Sequence, residues 1–307
     1  MTYAFGLGPL PGKSIAQACD VIAQETGEMM HLPQLPGRGL ASGNVVRTAS
    51  LLPMNVERGP RSWRLSSRPQ LITRTARDLV ERDLDECENQ WGQEPTNVKV
   101  QLIGPWTLAA ALELSDGHRL ITDRGALRDL QEAFVFGAQE HLKEINKRFH
   151  TAAILQVDEP MLPQAMEGLR GATDFDPIRS VPKEEIRKQL RELTQKIDTG
   201  VYLNQSGQTP NLDIKETTAI LIDLDSIKGT KIKDQLAEAL SGDLQVGLGI
   251  DREQPRDIER LIDELGLDHE VLTQKIHVFP KLTATTLLQA AHLYKAARNT
   301  QKKLEDL

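Results

Sequence analysis

The sequence predicts an α/β fold, a (β/α)8 TIM barrel folded as a single domain over residues 1–307. Three observations carry that expectation. Eight short apolar runs occur, at residues 3–7, 29–32, 98–103, 152–157, 201–203, 219–224, 244–248 and 276–279, each followed by a polar or glycine-rich corner. Stretches with helical spacing separate most of them, and no repeat, low-complexity tract or linker divides the chain. A barrel keeps its chemistry at the C-terminal ends of its strands and in the loops that follow, which says where to look.

Taken in order, residues 3–7 are β-rich and end in Gly6, Gly8, Pro9, Pro11 and Gly12, a stiff loop. Ile15, Ala18, Cys19 and Ile22 share one helical face, with Ser14 as the N-cap. The run at 29–32 leads into Leu32-Pro33-Gln34-Leu35-Pro36-Gly37-Arg38-Gly39, where two prolines and two glycines forbid a regular element. Residues 53–69, rich in proline and arginine, read as a loop insertion, and residues 70–90 as a charged helix carrying Cys87. The run at 98–103 meets Gly104-Pro105-Trp106-Thr107 and an Ala/Leu helix, and residues 123–148 form a long amphipathic helix. The run at 152–157 ends in Asp158-Glu159-Pro160. Pro182 opens the next helix, with Glu184 and Glu185 in its first turn. Later runs lead to Asn204-Gln205-Ser206-Gly207, to Asp223 and Asp225, to Gly249-Ile250-Asp251 and to Pro280-Lys281. A terminal helix follows, and the charged tail at 302–307 is expected to fray.

Composition narrows the function classes. The formal net charge is −7 and no long basic run appears, so a nucleic-acid partner is not expected. No segment approaches ~18 consecutive apolar residues, so no membrane span is expected. The opening residues lack a charged start and an apolar signal core. Two cysteines far apart in sequence point to a reducing compartment, and the protein is expected to be cytoplasmic.

The polar residues at the strand ends are the candidates for chemistry. A carboxylate leaving a buried strand, such as Asp158 or Glu159, loses hydration unless something pairs with it. It either grips a substrate ammonium or acts as a general base, or else it caps a loop or pairs with an arginine. His31 is either a ligand or base or a satisfied structural histidine. Asp223 and Asp225 lie two apart on one strand and share a face, either as a cation or substrate site or as a polar exit. Trp106 either stacks on a ligand or packs beneath its loop. Lys281 either meets an anion or is a solvated lysine. The glycines at 6, 8 and 12 do not fit G-x-G-x-x-G. No H-x-C or C-x-x-C occurs, so zinc held by thiolates is not expected.

Four segments together resemble a known family. They are Gly6-Leu7-Gly8-Pro9-Leu10-Pro11-Gly12, the loop at 32–39, Gln101-Leu102-Ile103-Gly104-Pro105-Trp106-Thr107-Leu108, and Gln156-Val157-Asp158-Glu159-Pro160. Over nearly its whole length the chain is similar to the catalytic half of cobalamin-independent methionine synthase, within the barrel superfamily that includes uroporphyrinogen decarboxylase. The resemblance implies methyl transfer from a reduced folate to the thiol of homocysteine, in methionine biosynthesis, with zinc ionising that thiol. It makes Asp158 the binder of the substrate amino group. The family's His-x-Cys would fall within Leu203-Asn204-Gln205-Ser206, its acidic ligand near Asp223, and its last Cys within Pro280-Lys281-Leu282-Thr283. Of these positions only Asp223 offers a family ligand. Pro9 stands near the place of a substrate-holding serine, and Gln34 where a glutamate is expected.

The sequence therefore supports a methionine-synthase-type methyltransferase, with no cofactor expected, or zinc if a site has been rebuilt. The alternative is a non-catalytic or repurposed barrel that binds an amino-acid-like ligand or a protein partner; another enzyme class of the same superfamily, such as a decarboxylase, is the third reading. The expected ligand-binding residues are Gln34, Trp106, Asp158, Glu159, Asn204, Gln205 and Asp223.

Overall fold

The computed structural model of the chain describes residues 2–171, 177–281 and 284–307. Among these, ten strands form two sheets: β1 (Met29–His31), β2 (Asn55–Arg58), β3 (Trp63–Ser66), β4 (Asn97–Ile103), β5 (Leu112–Glu113), β6 (Ile154–Asp158), β7 (Val201–Asn204), β8 (Ala219–Asp223), β9 (Gln245–Ile250) and β10 (Ile276–Pro280). The helices are α1 (Ile15–Glu25), α2 (Asn44–Leu51), α3 (Leu71–Trp91), α4 (Pro105–Ala111), α5 (Arg124–Phe149), α6 (Leu162–Glu167), α7 (Lys183–Lys196), α8 (Thr230–Ser241), α9 (Pro255–Glu264), α10 (Glu270–Gln274) and α11 (Leu287–Glu305).

The main sheet has seven parallel strands in the order β1-β4-β6-β7-β8-β9-β10. It is open. The closed, eight-stranded (β/α)8 barrel expected from the apolar runs is not what forms, because the first run makes no strand. Residues 3–10 cross the gap between β10 and β1 through isolated bridges, Ala4 to Val278 and Pro9 to Gln34. The reason lies in where the backbone N–H groups go. The Tyr3 N–H donates to His277 Nδ1 at 3.0 Å, and the Gly6 N–H to His31 Nδ1 at 3.2 Å. Each bond to a ring takes a donor that a ladder would use, and Pro9 and Pro11 have none to give. A Cβ on Gly6 would sit 2.4 Å from the His31 ring, so the close approach admits no side chain there.

The other seven runs fall on the seven strands, but each strand alternates. Val98, Val100 and Leu102 of β4, Leu155 and Val157 of β6, and Val201 and Leu203 of β7 pack into a core shared with α1, α3 and α5. Ile220 and Ile222, Val246 and Leu248, and Ile276 and Val278 pack into a second core with α8, α9 and α11. Residues of the opposite parity face inward. Met29, Tyr202, Ala219, Leu221 and Phe279 gather there with Phe5 in a small third core. Lys99, Gln101, Gln156 and Asp158 share that inner parity.

Within residues 53–69, β2 and β3 form an antiparallel hairpin, Asn55 opposite Ser66, and β3 runs parallel to β5 in a second, three-stranded sheet. Cys19 on α1 and Cys87 on α3, distant in sequence, are both buried thiols with sulfurs 3.4 Å apart. Within the tail, α11 continues through Glu305 and Leu304 is buried. Among the described residues no helix is long and apolar enough to cross a membrane.

The inner face has no slack at β9. A Cβ on Gly249 would lie 2.7 Å from both the Phe279 ring and the Asp223 carboxylate. Gly249→Ala is expected to lower stability by about 1–3 kcal/mol, read as the shift in a denaturant midpoint. An unchanged midpoint would show that Phe279 can move aside freely.

Candidate functional site

The inward-facing polar side chains join into one hydrogen-bonded arc across four adjacent strands. Lys99 on β4 donates from Nζ to Gln156 Oε1 at 2.5 Å. That bond fixes which way the Gln156 amide points. Its Nε2 then donates to Asp158 Oδ1 at 2.6 Å and to the Leu7 carbonyl at 2.9 Å. Asp158 and Asn204 are register partners on β6 and β7, and Asn204 Nδ2 donates to the same Oδ1 at 2.8 Å. The Ser206 N–H donates to Asn204 Oδ1 at 3.0 Å, and Ser206 Oγ donates to Asp223 Oδ1 at 2.6 Å. The Gly207 N–H donates to Asp223 Oδ2 at 2.8 Å.

Burial sets the electrostatics. Lys99 is fully buried beside the Phe5 ring, with Nζ 5.1 Å from the ring centroid. Loss of hydration lowers its pKa to about 7, and the Asp158 charge opposes that fall. Among the described residues no carboxylate lies within ion-pair distance of it. Asp158 keeps 8% exposure. Burial raises its pKa, while the bonds from Asn204 and Gln156 and the charge of Lys99 pull it back. Its Oδ2 accepts no hydrogen bond among the described residues. Gln34 Oε1 and Gln101 Oε1 are buried acceptors that meet no donor among the described residues, and Gln101 is the register partner of Gln156. An unmet buried acceptor of this kind costs roughly 1–3 kcal/mol.

Three of the expected ligand binders make hydrogen bonds within the scaffold. Glu159 is wholly buried and takes the Trp106 N–H at 3.0 Å, the Thr107 N–H at 2.7 Å and the Thr107 hydroxyl at 2.6 Å, which anchors the start of α4. Burial pushes its pKa up to about 7 against those bonds. Trp106 packs beneath its loop with no exposed surface, its indole N–H donating to Gln189 Oε1 at 3.0 Å. Gln205 spends its amide on the backbone of Asn211. His31 accepts from Gly6, so its proton sits on Nε2, directed at the Tyr294 hydroxyl at 3.0 Å; burial holds its pKa well below the usual value. Asp225 pairs with Lys281 at 2.5 Å and Asp251 with Arg252 at 3.1 Å, both at the rim.

Sequence reading missed Lys99, Gln101, Gln156 and Ser206. The signal was there: in Asn97-Val98-Lys99-Val100-Gln101-Leu102 the polar residues recur with period two inside an apolar run, which marks a strand whose second face is polar.

The donors at the places matched to the zinc ligands do not fit that metal. They are the Asn204 amide, the Ser206 hydroxyl, the Asp223 carboxylate and, after β10, the Lys281 ammonium. Both Asp223 oxygens already accept hydrogen bonds. Zinc sites use imidazole, thiolate and carboxylate, and a cation has no place among them. Among the described residues no group of three or more His, Cys, Asp and Glu side chains could hold a metal ion. Leu282 and Thr283, in the stretch matched to the last ligand, lie outside the described residues.

No family model matches the chain, and no curated protein matches it in sequence. Among solved structures it is similar to a B12-independent methionine synthase from Shewanella sp. W3-18-1 in complex with selenomethionine. The TM-score is 0.60 at 11% identity, covering 100% of this chain and 98% of that one. It is also similar to a methyltransferase from Methanosarcina mazei, with a TM-score of 0.55 at 9% identity, covering 99% of this chain and 95% of that one. The shared property is the fold. At these identities the likeness is one of backbone path alone, while the residues at the strand ends differ from the pattern that the sequence resemblance implies.

The buried ammonium has a thermodynamic signature. Its folded pKa, about 7, lies below the ordinary lysine value of 10.5. Between those values the unfolded chain holds a proton that the folded chain has released, so this residue makes stability rise with pH across the window. Lys99→Met is expected to flatten that rise in unfolding curves taken from pH 7 to 10. An identical slope in the variant would place the titration elsewhere.

Proposed function

We propose that the arc at the strand ends binds a small, amino-acid-like ligand, with Asp158 taking its ammonium group. The observation that carries this is the state of Asp158. Oδ1 is held by Gln156 and Asn204, while Oδ2 accepts nothing among the described residues, and the group keeps a sliver of exposure. An ammonium there would meet an oriented carboxylate in a poorly hydrated setting, where a charge-assisted bond is at its strongest. The donorless amides of Gln34 and Gln101, next along the sheet, would accept further N–H groups. Asn204 and Asp223 complete the ligand-facing set in this reading, and Glu159, Trp106 and Gln205 support it from behind.

The methyltransferase reading draws support from fold likeness, since both solved structures named above carry methyl-transfer descriptions. The donor set weakens it. A thiol of pKa ~8.5 with no metal beside it is only a few per cent ionised at neutral pH, so its activation would have to come from Asp158 or Lys99. We therefore place ligand binding first, and methyl transfer second.

Calorimetric titration with L-methionine and with 4-(methylthio)butanoate, its analogue lacking the amino group, separates the readings. The amino acid is expected to bind, and the deaminated analogue to bind at least about ten-fold more weakly. Asp158→Asn is expected to cost a similar factor for L-methionine alone. Equal binding of the two compounds, or an unaffected Asn variant, would overturn the assignment of Asp158. For the metal, protein purified with zinc and dialysed is expected to retain far less than about one zinc per chain, with homocysteine present or absent, by elemental analysis. Stoichiometric retention would return methyl transfer to first place.

A further inference from the structure

A second cavity, of about 730 Å³, lies away from Asp158, between the hairpin sheet and the starts of α5 and α7. That is the size of a small-molecule site. Among the described residues its charged lining is Arg61, Arg119, Arg124, Arg179, Glu113 and Glu185, with His118 beside them and no lysine. Arg61 pairs with Glu113 at 3.1 Å and donates to the Gly117 carbonyl at 2.7 Å. Arg119 holds the Ala110 carbonyl. Among the described residues, Arg119, Arg124 and Arg179 pair with no carboxylate, and Glu185 is the one acid left against them. This concentration of positive charge sits on a chain whose net charge is −7.

Two further features favour an anion. The cations are all guanidinium groups, whose planar fork matches carboxylate and phosphate oxygens two at a time. Val181, Pro182 and Glu185 bring the first turn of α7 to the same cavity, and that helix of 14 residues makes no side-chain cap bond at its start. Its free N–H groups add donors of the same sign, although Glu184 and Glu185 offset part of the effect.

We propose that this cavity is a second ligand site, for a small molecule carrying two or more phosphate or carboxylate groups. Arg124 and Arg179, both exposed, supply the approachable forks, while Arg61 and Arg119 are braced from behind.

The test is calorimetry of the full chain with tripolyphosphate and, separately, with citrate. At least one is expected to bind, more weakly as ionic strength rises, and the preferred probe assigns phosphate or carboxylate. Arg124→Gln with Arg179→Gln is expected to weaken that binding about ten-fold or more. Both side chains are exposed, so the double variant is expected to fold, with an unchanged circular dichroism spectrum as the check. An Arg252→Gln control, on a surface arginine outside the cavity lining, is expected to leave binding unaltered. Failure of both probes to bind, or equal binding by the double variant, would overturn the proposal.

Discussion

The bond from Lys99 to Gln156 orders the inner face of the sheet. A buried ammonium needs acceptors, and the nearest one is an amide that itself has two ends to satisfy. Once Gln156 Oε1 faces the ammonium, its nitrogen must face the other way. There it meets the Leu7 carbonyl and Asp158 Oδ1, so one contact ties the N-terminal segment to the sheet and aims a carboxylate. From Asp158 the arc runs on through Asn204, Ser206 and Asp223 without a break. The same ammonium also bears on His31, helping to keep that ring neutral and available as an acceptor for the Gly6 N–H.

The gap in the sheet follows from the same economy of donors. Two buried histidines, His31 on β1 and His277 on β10, flank residues 3–7 and take the N–H groups of Gly6 and Tyr3. The segment is held by these rings and by scattered backbone bonds, among them the Phe5 N–H to the Val278 carbonyl and the Val278 N–H to the Tyr3 carbonyl, and the sheet stays open along that line. Phe5 nevertheless packs with Tyr202 and Phe279 in the inner core, so the segment serves as a lid on the interior even though it joins no ladder.

The backbone path is that of proteins described as methyl-transfer enzymes, yet the strand ends present amides, hydroxyls and carboxylates where a thiol-activating metal would need imidazole and thiolate. The carboxylate aimed by Gln156 remains, and it suits an ammonium group. Asp158 is held by Gln156, which Lys99 orients, and by Asn204, so an amide at a place matched to a metal ligand is itself part of what aims the carboxylate.

Most of the strands were legible because burial against helices leaves an apolar run whatever the other face does. Seven of the eight runs lie on strands of the main sheet, and Asp158, Asn204 and Asp223 stand at strand ends as their spacing implied. The first run misled because its composition is β-like while two of its N–H groups, those of Tyr3 and Gly6, go to histidine rings distant in sequence, which no local pattern encodes. Glu159, Trp106 and Gln205 likewise sit in loops that look functional, and only packing shows their polar atoms already spent on α4, Gln189 and Asn211. Sequence alone determined where chain meets core, since hydrophobic spacing is local. Tertiary structure decided which polar groups remain free, because a hydrogen bond between distant residues is settled only when the strands are side by side.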